Sequence, residues 1–216
     1  MGKSEVAVFA LVFVAGAAIS GAVAAYTTHS LQARQSSVQV RKVRPLSVTP
    51  QALLGSRSDY QGNPNSPYTL VEFMDYECPP CKRADDKLRS DVLPRYKDKL
   101  RLTVRNLPLS FHKQAVPAAI AAEAAREQGR FWSVHDALLG QDSLNATRIA
   151  AAARETGLDA ARFARSYASS ARKVVEADAK QAASLKLPGT PSFLLCCPDG
   201  RVLLLGSLDQ IGDYVQ

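Results

Sequence analysis

The stretch that most constrains this 216-residue chain runs from Thr69 to Cys81. Thr69-Leu-Val-Glu-Phe-Met-Asp75 follows the turn cluster Gly62-Asn63-Pro64-Asn65-Ser66-Pro67 and reads as a buried strand. Cys78-Pro79-Pro80-Cys81 comes directly after it. Lys82 to about Tyr96 then has helical spacing through Ala84, Leu88, Val92 and Leu93, with Pro94 placed to bend or end the helix. Leu100 to Asn106 alternates apolar and polar residues, the pattern of a second strand. Strand, helix and strand in this order make a βαβ unit, which demands a parallel pair and a right-handed crossover.

Beyond that unit the pattern turns helical. Ala115–Gln128, Phe131–Leu139, Ala146–Thr156 and Asp159–Leu185 all show helical periodicity, with Gly129 and Gly157 as stops. The last part returns to strands. Ser192-Phe-Leu-Leu-Cys-Cys197 and Arg201-Val-Leu-Leu-Leu205 flank the turn Pro198-Asp199-Gly200 and predict an antiparallel hairpin. Ser207 is placed to cap a final helix running to Tyr214. The order is βαβ, helices, ββα, an α/β chain. A composition of 46% hydrophobic and 22% charged residues excludes disorder and collagen, and four cysteines are too few for a disulfide scaffold of this length.

Cys78 and Cys81 carry the chemistry. Residues three apart in a first helical turn bring two sulfurs within disulfide reach, so the pair can open and close with little backbone movement. The helix N-terminus offers partial positive charge to a thiolate at Cys78, and Lys82 and Arg83 add to it, which makes Cys78 the attacking sulfur. Cys81, one turn in, is the more buried resolving thiol. A zinc half-site or a static disulfide is the competing reading. The other cysteines are adjacent, and His29, His112 and His135 lack ligand spacing, so no metal site is expected. Cys196 and Cys197 have α-carbons about 3.8 Å apart, short of the usual disulfide range, and a strand points them to opposite faces. They are left out of the site.

Around these cysteines the chain resembles the thioredoxin superfamily, and within it the DsbA-like exported thiol–disulfide oxidoreductases. The resemblance spans residues 59–216. It rests on Gly62-Asn-Pro leading into Leu70-Val-Glu-Phe-Met-Asp-Tyr-Glu-Cys-Pro-Pro-Cys81, on Asn106-Leu-Pro-Leu-Ser-Phe-His112, on Gly129-Arg-Phe-Trp-Ser-Val-His-Asp136 and on Gly189-Thr-Pro-Ser-Phe193. It implies a thioredoxin fold with an inserted helical domain at about residues 112–186. It also gives Glu72, six positions before Cys78, the role of a proton relay to the buried cysteine. A carboxylate on so apolar a strand is costly unless neutral or paired, whereas a Glu at a solvated strand edge would need no such role. Thr190-Pro191 matches the family's cis-proline loop, which binds substrate backbone. The resemblance implies protein thiols or disulfides as substrates, a redox partner that regenerates the pair, and no cofactor beyond the Cys78–Cys81 disulfide. One feature departs from the pattern. Many strongly oxidising relatives carry a His between the cysteines, whereas Pro79-Pro80 cannot stabilise a thiolate by charge, so a weaker oxidant is expected.

Val6 to Ala25 is uncharged and, at about 1.5 Å per residue, long enough to span a bilayer core. Residues 1–26 therefore read as a single N-terminal transmembrane signal-anchor, or as a signal peptide cut near Ala22-Val23-Ala24. Residues 27–58, polar with Pro45 and Pro50, read as a linker. Residues 1–45 hold five Lys or Arg against one acid, +4 of the total +7, so the folded part has little basic excess and nucleic acid is not an expected partner. The charges that follow the apolar segment favour a cytoplasmic C-terminal side by the positive-inside rule, whereas the redox motif and the resemblance favour export. The expected protein is membrane-tethered, with its catalytic domain in the periplasm or otherwise outside the cytoplasm, and acts as a dithiol oxidase. The alternatives are a reductase or disulfide isomerase of the same fold, and a module that binds metal or peptide through the cysteines.

Overall fold

The computed structural model describes residues 42–215, so the apolar run Val6–Ala25 and its expected anchor role lie outside the described residues. Among the described residues no helix is long and apolar enough to cross a membrane. The strands are β1 (Arg44–Leu46), β2 (Gln61–Gly62), β3 (Tyr68–Met74), β4 (Leu100–Asn106), β5 (Ser192–Cys196) and β6 (Val202–Leu205). They form one sheet in the order β1-β6-β5-β3-β4-β2. The central strand β3 runs parallel to β4 and antiparallel to β5, as the βαβ and ββ patterns require.

Burial on both faces explains why β3 is nearly all apolar. Val71 and Phe73 pack with Leu53, Ala182 and Leu194 on one side. Leu70 packs with Ala84 and Leu88 on the other. Strand side chains alternate, so Glu72 is in phase with Leu70 and faces helix α2 (Pro79–Lys87). That helix continues through a π-helical stretch, Leu88–Val92, into a short turn, Leu93–Arg95. Pro94 lacks an N–H, and its ring crowds the carbonyl four residues back. The wider turn, closed by Leu93 N–H on the Leu88 carbonyl, accommodates it, so the proline reshapes the helix without ending it.

The inserted helices lie where they were expected: α3 (Ala115–Arg126), α4 (Phe131–Leu139), α5 (Ala146–Arg154), α6 (Ala160–Ala168) and α7 (Ser170–Ser184). Alanine-rich α3 is central and packs against the other four, because small side chains allow close approach. The single helix expected over 159–185 is two. Ser169 is non-helical (φ −136°, ψ −80°), and its hydroxyl donates to the Arg165 carbonyl at 2.8 Å. Consecutive serines that bond locally compete with the helical ladder. The final helix is a 3₁₀ segment, Leu208–Asp213, held by a capping box between Ser207 and Gln210.

The expected linker 27–58 needs correction over its second half. Residues 44–46 form β1, paired antiparallel with β6, and Pro50–Leu54 forms helix α1 with Leu53 fully buried. Thr49 caps α1 by accepting the Ala52 N–H at 3.2 Å, and Pro50 sits just inside its start. This Thr-Pro start is a helix signal that the polar look of the segment concealed. At the other edge, β2 passes so close to β4 that a Cβ on Gly62 (φ +88°) would lie 2.9 Å from the Leu100 carbonyl oxygen.

A buried charge cluster ties these parts together. Asp178 of α7 accepts from Arg57 at 2.6 Å, from Arg105 at 2.7 and 2.9 Å, and from the Asn106 backbone N–H at 2.9 Å. Glu123 of α3 accepts from Asn106 at 2.6 Å and from Arg126 at 2.8 Å, and Arg126 also pairs with Asp59. Three arginines thus meet three carboxylates where sheet, insertion and the segment after α1 converge.

Candidate active site

The strand-to-helix turn is fixed from both sides. Asp75, 1% exposed, follows β3, and its carbonyl accepts the Cys78 N–H at 3.1 Å. Its carboxylate accepts the N–H groups of Glu77 and Leu109, each at 2.8 Å, and lies 2.8 Å from His112 Nδ1. Cys78 is the N-cap of α2, and Pro79 and Pro80 occupy the first helical positions, where no N–H is needed. The Cys81 N–H bonds the Cys78 carbonyl at 3.0 Å.

The structure brings together all five residues singled out in the sequence. Cys78 and Cys81 are unbonded thiols in side-chain contact, 6% and 0% exposed. Cys78 Sγ lies 3.5 Å from the Thr190 carbonyl oxygen, and the Thr190–Pro191 peptide is cis. Cys78 also opens into a cleft of about 280 Å³ lined by Tyr76, Lys82, Leu139 and Gln141 among others. Burial pushes the Cys81 thiol far above its ordinary range, and the neighbouring Glu72 carboxyl raises it further. Cys78 faces the Tyr76 cleft and the cis-proline loop; Cys81 faces the core and the acid.

Glu72 is 1% exposed, and its Oε1 has no hydrogen-bond partner among the described residues. Burial, reinforced by the Asp85 charge and opposed by Arg89, raises its pKa from 4.5 to about 8. In the unfolded chain this carboxyl ionises near pH 4.5, whereas in the fold it keeps its proton up to about 8. The folded state holds the extra proton, so its stability falls as pH rises between those values and loses no more above the upper one. Glu72→Gln should flatten that part of a plot of Tm against pH; an unchanged slope would place the effect elsewhere.

Sequence reasoning missed the charged chain beside Glu72. Burial would raise the Asp85 carboxyl, but hydrogen bonds from His135 and Arg89 outweigh it and hold the carboxyl below its ordinary value. His135, 1% exposed, sits 3.0 Å from the Tyr76 hydroxyl through Nδ1 and 3.5 Å from Asp85 through Nε2. Arg89 donates to Asp85 at 2.7 Å and reaches Asp136. Asp85 follows Cys81 by one helical turn, a spacing that puts both on one face and was readable in advance. His135 comes from α4, and only the folded insertion brings it here. Tyr76 and Phe131 are core, stacked around His135, although Tyr76 also edges the cleft at Cys78.

Cys196 and Cys197 are buried on opposite faces, one with Val71 and Leu194, the other with Leu195 and Leu203. Burial pushes Cys196 up to about 12. Cys196 pairs with Thr69 in the sheet, whereas Ser192 pairs with Phe73 near the active turn. At about 3.3 Å per residue, four residues of strand carry the second pair to the far end of the sheet.

A strand-loaded pair of thiols at a helix start, a cis-proline loop against the outer sulfur and a helical insertion are the features of DsbA-like thiol–disulfide oxidoreductases. A thioredoxin family model matches residues 56–202, and the chain belongs to the thioredoxin family. A thioredoxin-like oxidoreductase from Silicibacter pomeroyi is 31% identical, with a TM-score of 0.64, over 77% of this chain and 95% of that one. DsbA2 of Pseudomonas aeruginosa shares the fold at 22% identity, with a TM-score of 0.59, over 73% of this chain and 92% of that one. In sequence, the chain is 38% identical over 144 residues to the Na(+)/H(+) antiporter NhaA 3 of Salinispora tropica, a match covering 64% of this chain. The chain spans only 22% of that antiporter's length, so what is shared is a region of it.

Proposed function

We propose that the protein is a membrane-tethered thiol–disulfide oxidoreductase working outside the cytoplasm, and that it passes the Cys78–Cys81 disulfide to protein thiols. The observation that carries this reading is the division of labour between the sulfurs. Cys78 touches the Thr190 carbonyl at the substrate loop, while Cys81 is fully buried above a protonated Glu72. In the oxidising direction a substrate thiolate attacks Cys78 Sγ, a new S–S bond forms, and Cys81 leaves with the electron pair. Burial makes a Cys81 thiolate costly, and the Glu72 proton neutralises it. The substrate's second thiolate then attacks its own bonded sulfur and releases Cys78. The substrate has lost two electrons, the protein has gained them, and a redox partner must remove them. Thr190 and Pro191 hold the substrate backbone. The extracytoplasmic setting is supported by the apolar N-terminal segment and by likeness in fold to a periplasmic thioredoxin-like protein of Salmonella enterica.

Equilibration of the purified protein with glutathione buffers tests the direction. An oxidase with Pro-Pro between its cysteines should have a potential less oxidising than about −120 mV and more oxidising than about −230 mV. A value near −270 mV or below would make it a reductase.

A further inference from the structure

Helix α7 is closed by two backbone bonds, from the Lys186 N–H to the Ala183 carbonyl at 3.0 Å and from the Leu187 N–H to the Ala182 carbonyl at 3.1 Å. This closure needs a left-handed residue at its corner, a place that glycine takes without steric cost. Here that residue is Lys186, exposed and at φ +53°, the one non-glycine with positive φ among the described residues. Placing lysine there costs conformational energy, which its charge has to offset. The helix dipole accounts for one cation at this end, but not for the three that gather beside it.

Those three come from two distant parts of the chain. Arg44 of β1 donates to the Leu185 carbonyl at 3.1 Å, which brings its guanidinium beside Lys186. Lys42 borders the same hollow as Arg44 and Pro188. Gln181 donates to the Ala52 carbonyl at 2.8 Å and ties α7 to α1, with Lys180 next to it in the chain. Lys42, Arg44, Lys180 and Lys186 are all exposed, and none has an ion-pair partner among the described residues. The carboxylate at the hollow, Asp209, is taken by Lys87. Glu176, the exposed acid of α7, lies a turn before Lys180 and is flanked on its other side by Arg172 and Lys173. The corner also stands where the chain enters the described fold. Residues 26–41, sixteen in all, separate the apolar run from Lys42, and they carry Arg34 and Arg41 but no acid. Fully extended, they reach about 55 Å.

We propose that the corner made by Lys42, Arg44, Lys180 and Lys186 seats the domain on a bilayer surface of anionic phospholipids. The proposal rests on the membrane-tethered reading and says how the tethered domain is held. A domain leashed within about 55 Å of a bilayer meets the headgroups at high effective concentration, so individually weak attractions suffice. Each basic residue close to an anionic surface strengthens binding about five-fold, and salt screens the attraction. Lipid phosphates here meet four cations with no carboxylate partner, whereas a zwitterionic surface has no net charge to draw them.

The test uses the full-length protein reconstituted in vesicles of phosphatidylcholine, or of phosphatidylcholine mixed with phosphatidylglycerol. A membrane-impermeant amine reagent, read by mass spectrometry, reports the accessibility of Lys42, Lys180 and Lys186, with the exposed Lys97 as reference. On the phosphatidylglycerol vesicles the three lysines should react about five-fold more slowly relative to Lys97, and high salt should restore them. Lys186→Gly should weaken the protection of Lys42 and Lys180 while preserving or raising the melting temperature and leaving dithiothreitol exchange unchanged. A lower melting temperature with protection intact would make Lys186 a structural cap and overturn its part in the corner. Equal labelling on both kinds of vesicle would overturn the proposal. So would protection that persists in high salt, or protection that inorganic phosphate abolishes at matched ionic strength, since the site would then take a free anion. Alkaline carbonate washing judges the tether separately. Release of the protein there removes the tethered reading, and salt-sensitive binding to phosphatidylglycerol vesicles at neutral pH then still judges the corner.

Discussion

Cys78→Ser should lower exchange with dithiol peptides by about a thousand-fold or more, because a hydroxyl cannot form the mixed disulfide through which exchange proceeds. The loss should be catalytic and not structural. Cys78 is unbonded to any other cysteine and lies at the rim of the core, and serine is a good N-cap for α2. The melting curve should therefore match that of the wild type. Cys81→Ser should behave differently. It keeps the attacking sulfur and removes the resolving one, so mixing with a disulfide substrate should trap a covalent complex, visible as a mass shift that a reductant reverses. Near-normal turnover in Cys78→Ser would move the reaction to another sulfur. The buried Cys196, held up at about 12, is a poor candidate for that role.

The second large effect is expected far from the sulfurs. Asp178→Ala should destabilise the fold by about 3–5 kcal/mol, the usual cost of removing one partner from a buried ionic cluster. Asp178 is fully buried, and its loss would leave Arg57 and Arg105 short of a partner and the Asn106 N–H unbonded. Most of that cost is the stranding of buried charge, not the intrinsic value of the ion pairs. Urea unfolding measures it as a lower midpoint. Asp91→Ala, which breaks the exposed pair with Arg95, should leave the midpoint unchanged and serves as the control. Equal midpoints for Asp178→Ala and the wild type would show that the cluster is solvated.

Much of this arrangement is legible in the chain itself, because the strong signals are local. The apolar run before Cys78, the spacing to Cys81, the Gly-Thr-Pro turn and the Pro-Asp-Gly hairpin each act within about ten residues. The parts that are not legible depend on distant residues. His135 reaches Asp85 only because α4 folds over α2, and nothing in its own segment points to a carboxylate fifty positions away. The linker over residues 44–54 misleads because polar neighbours hide a capped helix and a three-residue strand whose pairing is supplied by β6. Glu72 lies between these cases. Its isolation on an apolar strand announces a costly carboxyl, whereas the contribution of Asp85 to that cost becomes visible only in three dimensions.

The two edges of the sheet bear on what kind of client the protein can handle. One edge is β1, three residues long with Pro45 at its centre, and the other is β2, only two residues long. At β1 proline and brevity leave little unpaired backbone for another chain to add to as a strand, and beyond β2 the outer edge of β4 is occupied by side chains, with Arg57 donating to the Val104 carbonyl and Asp178 accepting the Asn106 N–H. A protein that works on incompletely folded polypeptides meets partners rich in unpaired backbone, and a long open edge would invite them to pile on indefinitely. Among the described residues the sheet therefore offers an extended chain little to pair with, and under the proposed function the proline loop remains as the place to dock. The same brevity that made β1 easy to overlook thus limits the addition of a foreign strand at that edge.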